Sequence, residues 1–233
     1  MSERFFTPVP PVAGSATLSG DEARHLTRVL RAKVGDAVVL FDGMGREWPA
    51  RVASIGRDRV ELDAAEPTID ATPVAIPLTL AVALPKGERQ KWMVEKLTEL
   101  ATARLVPLET TRGVAEATTS AQARLERVVI ESCKQCGRNT LMDISAGRPL
   151  DRLLAEIPAN TCIVIAHPGG RPLTADIVPA SAREVIALVG PEGGFTDQEL
   201  ATAEHAGCIR VSLGPHILRV ETAAIALAAR LAR

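Results

Sequence analysis

Glycine set directly behind an apolar run and just before a helix start is the pattern best suited to chemistry in this chain, and it occurs twice near the C-terminus. Val185–Val189 leads into Gly190-Pro191-Glu192-Gly193-Gly194-Phe195-Thr196, and Ile209–Leu213 leads into Gly214-Pro215-His216-Ile217-Leu218-Arg219-Val220-Glu221-Thr222. Loops of this kind turn backbone amides outward and let a ligand come close to the main chain. Two in succession predict one ligand site built largely from backbone. The stretch has neither G-x-G-x-x-G nor a Gly-Lys-Ser/Thr ending, so a Rossmann dinucleotide site and a P-loop are both poor fits. Between the loops lies a short helical pattern, with Thr196 as N-cap and Glu199 completing its capping box; these two residues are structural.

The paired loops resemble the signature of the SPOUT class of trefoil-knotted methyltransferases, and within it the ribosomal RNA small-subunit methyltransferase E family. That family reads GPEGG and then LGPRILRxETA close to the C-terminus. Gly190–Gly194 match in full, and Leu213–Ala223 match with His216 in place of arginine. Lys86-Gly87-Glu88-Arg89, with Lys96 and Glu99-Leu100, resembles the family's K-x-x-R-x-E…K-x-x-E-L-G segment, with Ala101 replacing the glycine. Cys133-Lys134-Gln135-Cys136-Gly137-Arg138 resembles its E-Q-S/C-x-R segment, with Lys134 where glutamate is usual.

The resemblance implies S-adenosyl-L-methionine as cofactor and methyl transfer to N3 of a specific uridine in 16S ribosomal RNA, within the 30S subunit. It implies that His167, Gly190, Pro191, Glu192, Gly193, Gly194, Leu213, Gly214, Ile217 and Leu218 line the cofactor pocket. Read without the family, His167 is a loop residue capping a strand end. Methylation at N3 needs in-line positioning and removal of the N3 proton. Arg219 and Glu221 are the catalytic candidates by their place in the last motif, the guanidinium stabilising negative charge on the uracil oxygens and the carboxylate acting as base. Glu221 is equally readable as favourable helix N-terminal charge, worth about 0.3–1 kcal/mol. Two other functions stay open: a knotted methyltransferase acting elsewhere, for instance on a ribose 2′-hydroxyl, and a ribosome-assembly RNA-binding protein without turnover. The class also implies a homodimer.

The elements that must position these loops can be read from hydrophobic period. From Ile76 onward apolar strands alternate with helices: strands at Pro77–Leu84, Ala103–Leu108, Leu141–Ile144, Cys162–Ala166, Val185–Val189 and Ile209–Leu213, helices at Glu88–Thr102, Gln122–Cys136, Leu150–Glu156 and Val220–Leu231. Such alternation predicts an α/β domain with a mostly parallel sheet covered on both faces. Three loops should then converge at strand C-terminal ends, where open sheets bind ligands: Ala166–Gly170, Gly190–Gly194 and Leu213–Arg219. Physics alone stops at a doubly wound sheet; the trefoil knot comes only from the resemblance.

Ala64–Pro77 contains three prolines and reads as a linker, with the domain boundary near Ala71. Residues 1–71 hold strand patterns at Ala37–Phe41, Glu47–Ile55 and Arg59–Leu62, and they resemble the family's N-terminal PUA-like β-barrel; residues 72–233 form the knotted domain. Ser19-Gly20-Asp21-Glu22 reads as a capping box opening a helix to about Leu30, with Leu26, Val29 and Leu30 facing inward. Its polar face carries Arg24, Arg28 and Arg31, either a solvated face or a phosphate-binding stripe. The resemblance favours RNA contact, and Lys86, Arg89 and Arg138 are further RNA-binding candidates.

With 233 residues, 46% of them hydrophobic, the chain can bury a sizeable core, and its formal net charge of −1 leaves any RNA site to local clusters. The N-terminus is not a signal peptide, and no apolar run reaches about 18 residues, so a soluble cytoplasmic protein is expected. Cys133 and Cys136 form a C-x-x-C, but on a helical pattern that puts both on a packed face with Leu125, Val128 and Val129. Cys162 and Cys208 are isolated, so four reduced thiols and no metal are expected.

Overall fold

The structure is a computed structural model that describes residues 3–69, 76–113 and 118–232. Its contacts separate two compact units, Met1–Pro73 with Ile130–Leu141, and Val74–Val129 with Met142–Arg233. The expected boundary at Ala71 lies outside the described residues.

The first unit holds strands β1 (Glu3–Phe6), β2 (Ser15–Ser19), β3 (Ala37–Phe41), β4 (Arg46–Ile55), β5 (Arg59–Ala64) and β6 (Thr68–Ile69). They form one sheet in the order β1-β3-β4-β5-β2, with β6 on β4; β1 and β3 run parallel and the other pairs antiparallel. Inward residues alternate along β2, β4 and β5, as in β2, where Ala16 and Leu18 face in between exposed neighbours. They meet Phe5, Leu40, Trp48, Val52, Val60 and Leu62 in a closed apolar core.

The expected helix from Ser19 is corrected by the structure. An α-helix, α1, covers only Gly20–Arg24, and a π-helical turn occupies His25–Val29. Ser19 makes no capping hydrogen bond, because it remains in β2 opposite Arg59. The Thr27 hydroxyl donates to the Ala23 carbonyl at 2.7 Å, a back-bond that competes with regular helix pairing. The wider turn rotates the residues within it: Leu26 is buried but Val29, expected inward, is 68% exposed. Arg31 then takes φ +54°, outside any helix, so the three arginines do not form one helical stripe.

The second unit contains β7 (Leu78–Val82), α2 (Glu88–Glu99), β8 (Arg104–Glu109), β9 (Asp143–Ile144), β10 (Arg148–Pro149), α4 (Leu150–Ala155), β11 (Thr161–Pro172), β12 (Glu184–Val189), α5 (Asp197–His205), β13 (Ile209–Ser212) and α6 (Val220–Leu231). Helix α3 (Thr119–Cys136) begins in this unit and ends in the other. The sheet runs β10-β8-β7-β12-β11-β13, with β9 on β8, and every pairing is parallel. Central strands buried on both faces must be apolar throughout, and Leu78–Val82 and Val185–Val189 are buried at every residue. One face carries Ile163, Ile165, Ile186 and Leu188 against α4 and α5; α2 and α6 pack together, and α6 lies on β7 and β12.

Two further expectations change. The segment Ala166–Gly170, expected as a loop, continues β11 through a bulge, since β13 pairs with β11 on both sides of it. Gly170 makes this fit: a Cβ there would lie 2.6 Å from the Val211 backbone. Cys133, Cys162 and Cys208 are buried, but Cys136, expected on the packed face of α3, is exposed. Burial pushes the Cys133 and Cys208 thiols up to about 12. Among the described residues no group of His, Cys, Asp and Glu is placed to hold a metal ion, and no helix is long and apolar enough to cross a membrane.

Candidate functional site

Strands β11, β12 and β13 are neighbours in the parallel sheet, so the segments leaving their C-terminal ends lie at the same end of the sheet. After β12 the chain turns tightly, with the Gly194 N–H donating to the Pro191 carbonyl at 2.8 Å and Gly194 at φ +67°. Gly190 sits under Phe195, whose ring atoms would lie 2.9 Å from a Cβ. The loop then enters α5 through a complete capping box: the Glu199 N–H donates to the Thr196 hydroxyl, and the Glu199 carboxylate accepts from the Thr196 N–H. Burial alone would raise the Glu199 carboxyl, but the N–H groups of Thr196 and Thr111 outweigh it and hold that group below its usual range.

Arg112 reaches this loop from just beyond β8, donating from Nη1 to the Gly193 carbonyl at 2.8 Å. Sequence reasoning did not single it out; its position shortly past the C-terminal end of a parallel strand was the available signal. A second arginine reaches it from α2. Arg89 Nη1 lies 3.5 Å from Glu192 Oε1 and 4.0 Å from Glu221 Oε2. Glu221 is only 4% exposed, and its Oε2 accepts no hydrogen bond among the described residues.

After β13 the Ser212 hydroxyl donates to the Gly214 carbonyl at 3.1 Å, and Gly214 takes φ +149°, with open space where a Cβ would stand. Pro215, His216 and Ile217 are exposed, and Arg219 is the exposed N-cap of α6 without a side-chain capping bond. Glu221 stands in the first turn, where negative charge suits the helix N-terminus. A cleft of about 470 Å³ opens here, lined by Pro168, Leu173, Leu213, Gly214, Ile217 and Arg230 among others.

The cofactor candidates therefore fall into two groups. Leu213, Gly214 and Ile217 line the cleft, and His167 adjoins its wall at Pro168, with Nδ1 accepting from the Gly169 N–H at 3.0 Å. Gly190–Gly194 are not part of the cleft wall; they face Arg89 and Arg112. Leu218 is half-buried between the cleft and the helix start.

Of the RNA candidates, Arg24, Arg28 and Arg31 are exposed in the first unit, where Arg24 pairs with Asp21. Arg138, in the same unit, is half-buried, and burial lowers the pKa of its guanidinium. Lys86 and Arg89 are exposed in the second unit. Lys134, the departure from the family pattern, turns into the first unit, where its ammonium pairs with Glu22 at 3.1 Å and lies 5.6 Å from the Phe5 ring centroid.

Comparison with known proteins gives the same architecture. The RNA methyltransferase domain family matches residues 72–232, and the RNA methyltransferase PUA domain family matches residues 18–64. Ribosomal RNA small subunit methyltransferase E of Mycobacterium bovis is 31% identical over 224 residues, covering 93% of this chain and 85% of that protein. The Bacillus subtilis protein of the same name is 26% identical over 222 residues, covering 91% and 87%. The crystal structure of a ribosomal RNA small subunit methyltransferase E from Neisseria gonorrhoeae bound to S-adenosyl methionine superposes with a TM-score of 0.90 at 29% identity, covering 98% of this chain and 96% of that one.

Proposed function

This chain belongs to the ribosomal RNA small subunit methyltransferase E family, with a SPOUT-type trefoil-knotted domain behind a PUA-like domain, and from that premise we propose that it methylates N3 of one uridine in 16S ribosomal RNA. The observation that carries the site assignment is Glu221, a buried carboxylate with an oxygen that has no hydrogen-bond partner among the described residues, just behind the exposed Arg219.

The residues present fit S-adenosylmethionine. The cleft has the size of a small-ligand pocket, its wall is apolar at Pro168, Leu173, Leu213 and Ile217, and Gly214 leaves open main chain at its edge. Ile217, 86% exposed, is the large apolar side chain that a bound adenosine would cover. When bound, the cofactor supplies a methyl group activated by a sulfonium. Leu213, Gly214, Ile217 and Leu218 would hold it, with His167 and the Gly190–Gly194 loop beside them.

The remaining work falls to the side chains. Uracil N3 keeps its proton near neutral pH, so Glu221 accepts that proton at a carboxylate oxygen while the nitrogen attacks. Arg219, on the loop just ahead, faces the negative charge that develops on the uracil oxygens. N3 is inaccessible in a paired base, so the uridine must be unpaired or extruded. Arg24, Arg28 and Arg31, with Lys86 and Arg138, supply phosphate contacts, and a homodimer acting on the 30S subunit completes this reading. The test is nucleoside mass spectrometry of 16S ribosomal RNA from cells with and without the gene. Loss of 3-methyluridine alone is expected; loss of a ribose-methylated nucleoside instead would contradict it.

A further inference from the structure

Arg89 matches a basic position of the family's K-x-x-R-x-E segment, yet its surroundings do not suit a phosphate. Its guanidinium stands between two carboxylates on different elements, Glu192 in the loop after β12 and Glu221 in the first turn of α6. Three charged groups of this kind sum to −1, which repels an anionic backbone instead of attracting it. The two carboxylates also differ in need. The Glu192 side chain is 49% exposed and remains hydrated, whereas that of Glu221 is 6% exposed and its Oε2 has no hydrogen bond among the described residues. A carboxylate removed from water is kept in place by an opposite charge within reach, and Arg89 Nη1 at 4.0 Å is the charge placed there. A planar guanidinium can address two carboxylates at once, which a single ammonium does poorly.

We propose that Arg89 is a positioning residue for methyl transfer: it fixes the Glu221 carboxylate at the start of α6 and ties it to the Gly190–Gly194 loop, so that proton acceptor and cofactor loop are set by one side chain. This rests on Glu221 being the proton acceptor. It also explains why the arginine projects from the first turn of α2, since α2 and α6 pack together and bring that turn to the site.

The test uses the full-length protein with Arg89→Gln, Arg89→Lys, Glu221→Gln and the Arg89→Gln/Glu221→Gln pair. Turnover on ribosomal RNA is measured together with RNA Kd across a salt series, and circular dichroism checks folding. Arg89→Gln is expected to lower kcat at least tenfold, with KM, RNA Kd and the salt slope of binding within about twofold of wild type. Arg89→Lys should recover part of the loss, and the double variant should be no slower than Glu221→Gln alone, because both changes disable one unit. If Arg89→Gln weakens RNA binding and flattens the salt slope while kcat is unchanged, Arg89 is a phosphate contact and the proposal is wrong. Losses that multiply in the double variant also overturn it, since Arg89 then acts independently of Glu221. Glu221→Gln at the wild-type rate would overturn the proton-acceptor assignment itself, and the two failures are thereby distinct.

Discussion

Ala101 ends α2 at φ +58°, a left-handed conformation that glycine adopts freely and an L-residue does not. The cap around it is a Schellman arrangement: the Ala101 N–H donates to the Thr98 carbonyl and the Thr102 N–H to the Leu97 carbonyl, both at 3.1 Å. The family has glycine at this place, so the departure seen in the sequence falls where a Cβ is least welcome. Ala101→Gly is expected to stabilise the protein by about 1 kcal/mol. Thermal unfolding checks this, with a midpoint raised by about 2–4 °C; an unchanged or lower midpoint would contradict it. At the opposite end of the sheet, Arg219 is exposed and makes no capping bond, which frees its guanidinium for a ligand. Arg219→Ala should keep the fold and bind cofactor within about twofold, yet lose about 10²-fold or more in turnover. Calorimetric titration and single-turnover methylation separate these effects, and a wild-type rate would remove Arg219 from the chemistry. The sequence motif pointed to both Arg219 and Glu221. It did not reveal that Arg89 stands beside Glu221, because contact between the first turns of α2 and α6 depends on helix packing and leaves no local pattern.

Among the elements, helices and strands with a clear period were legible: α6 spans the expected Val220–Leu231, and the capping box on α5 is present as read. Two of the failures share a cause, which is tertiary pairing overriding local signals. Ser19 looked like an N-cap but is held in β2, and Ala166–Gly170 looked like a loop but is drawn into β11 by its pairing with β13. That pairing yields a prediction. Gly170→Ala would press a methyl group into the Val211 backbone, and we expect a loss of about 1–3 kcal/mol, read from denaturant unfolding. A neutral result would mean that the strands separate more easily than their register implies. For α5, the Glu199 carboxyl has its folded-state pKa below the ordinary value of 4.5. Its stabilising contribution is therefore complete above the unfolded-state value and is lost as pH falls through the lower, folded-state one. Wild type should lose stability below about pH 4.5 more steeply than Glu199→Gln, which starts lower but lacks this titration; parallel pH profiles would rule the effect out.

At the scale of the whole molecule, the chain divides its labour between a sheet unit closed around Phe5, Leu40 and Trp48 and a parallel-sheet unit that holds the loops. The alternation of strands and helices made the second unit readable, but the joining of Ile130–Leu141 to the first was not, because α3 has one continuous helical pattern across both. Lys134 shows the consequence. It stands where the family pattern has glutamate, and its ammonium pairs with Glu22 within the first unit. The proposed activity is methyl transfer to a uridine base of small-subunit ribosomal RNA. It is tested most directly by incubating purified protein and labelled S-adenosylmethionine with 30S subunits, and separately with naked 16S ribosomal RNA, both from cells lacking the gene, and then analysing the nucleosides. Label is expected in 3-methyluridine, with 30S subunits the better substrate. Label in another nucleoside, or none in either substrate while cofactor binding is intact, would contradict it.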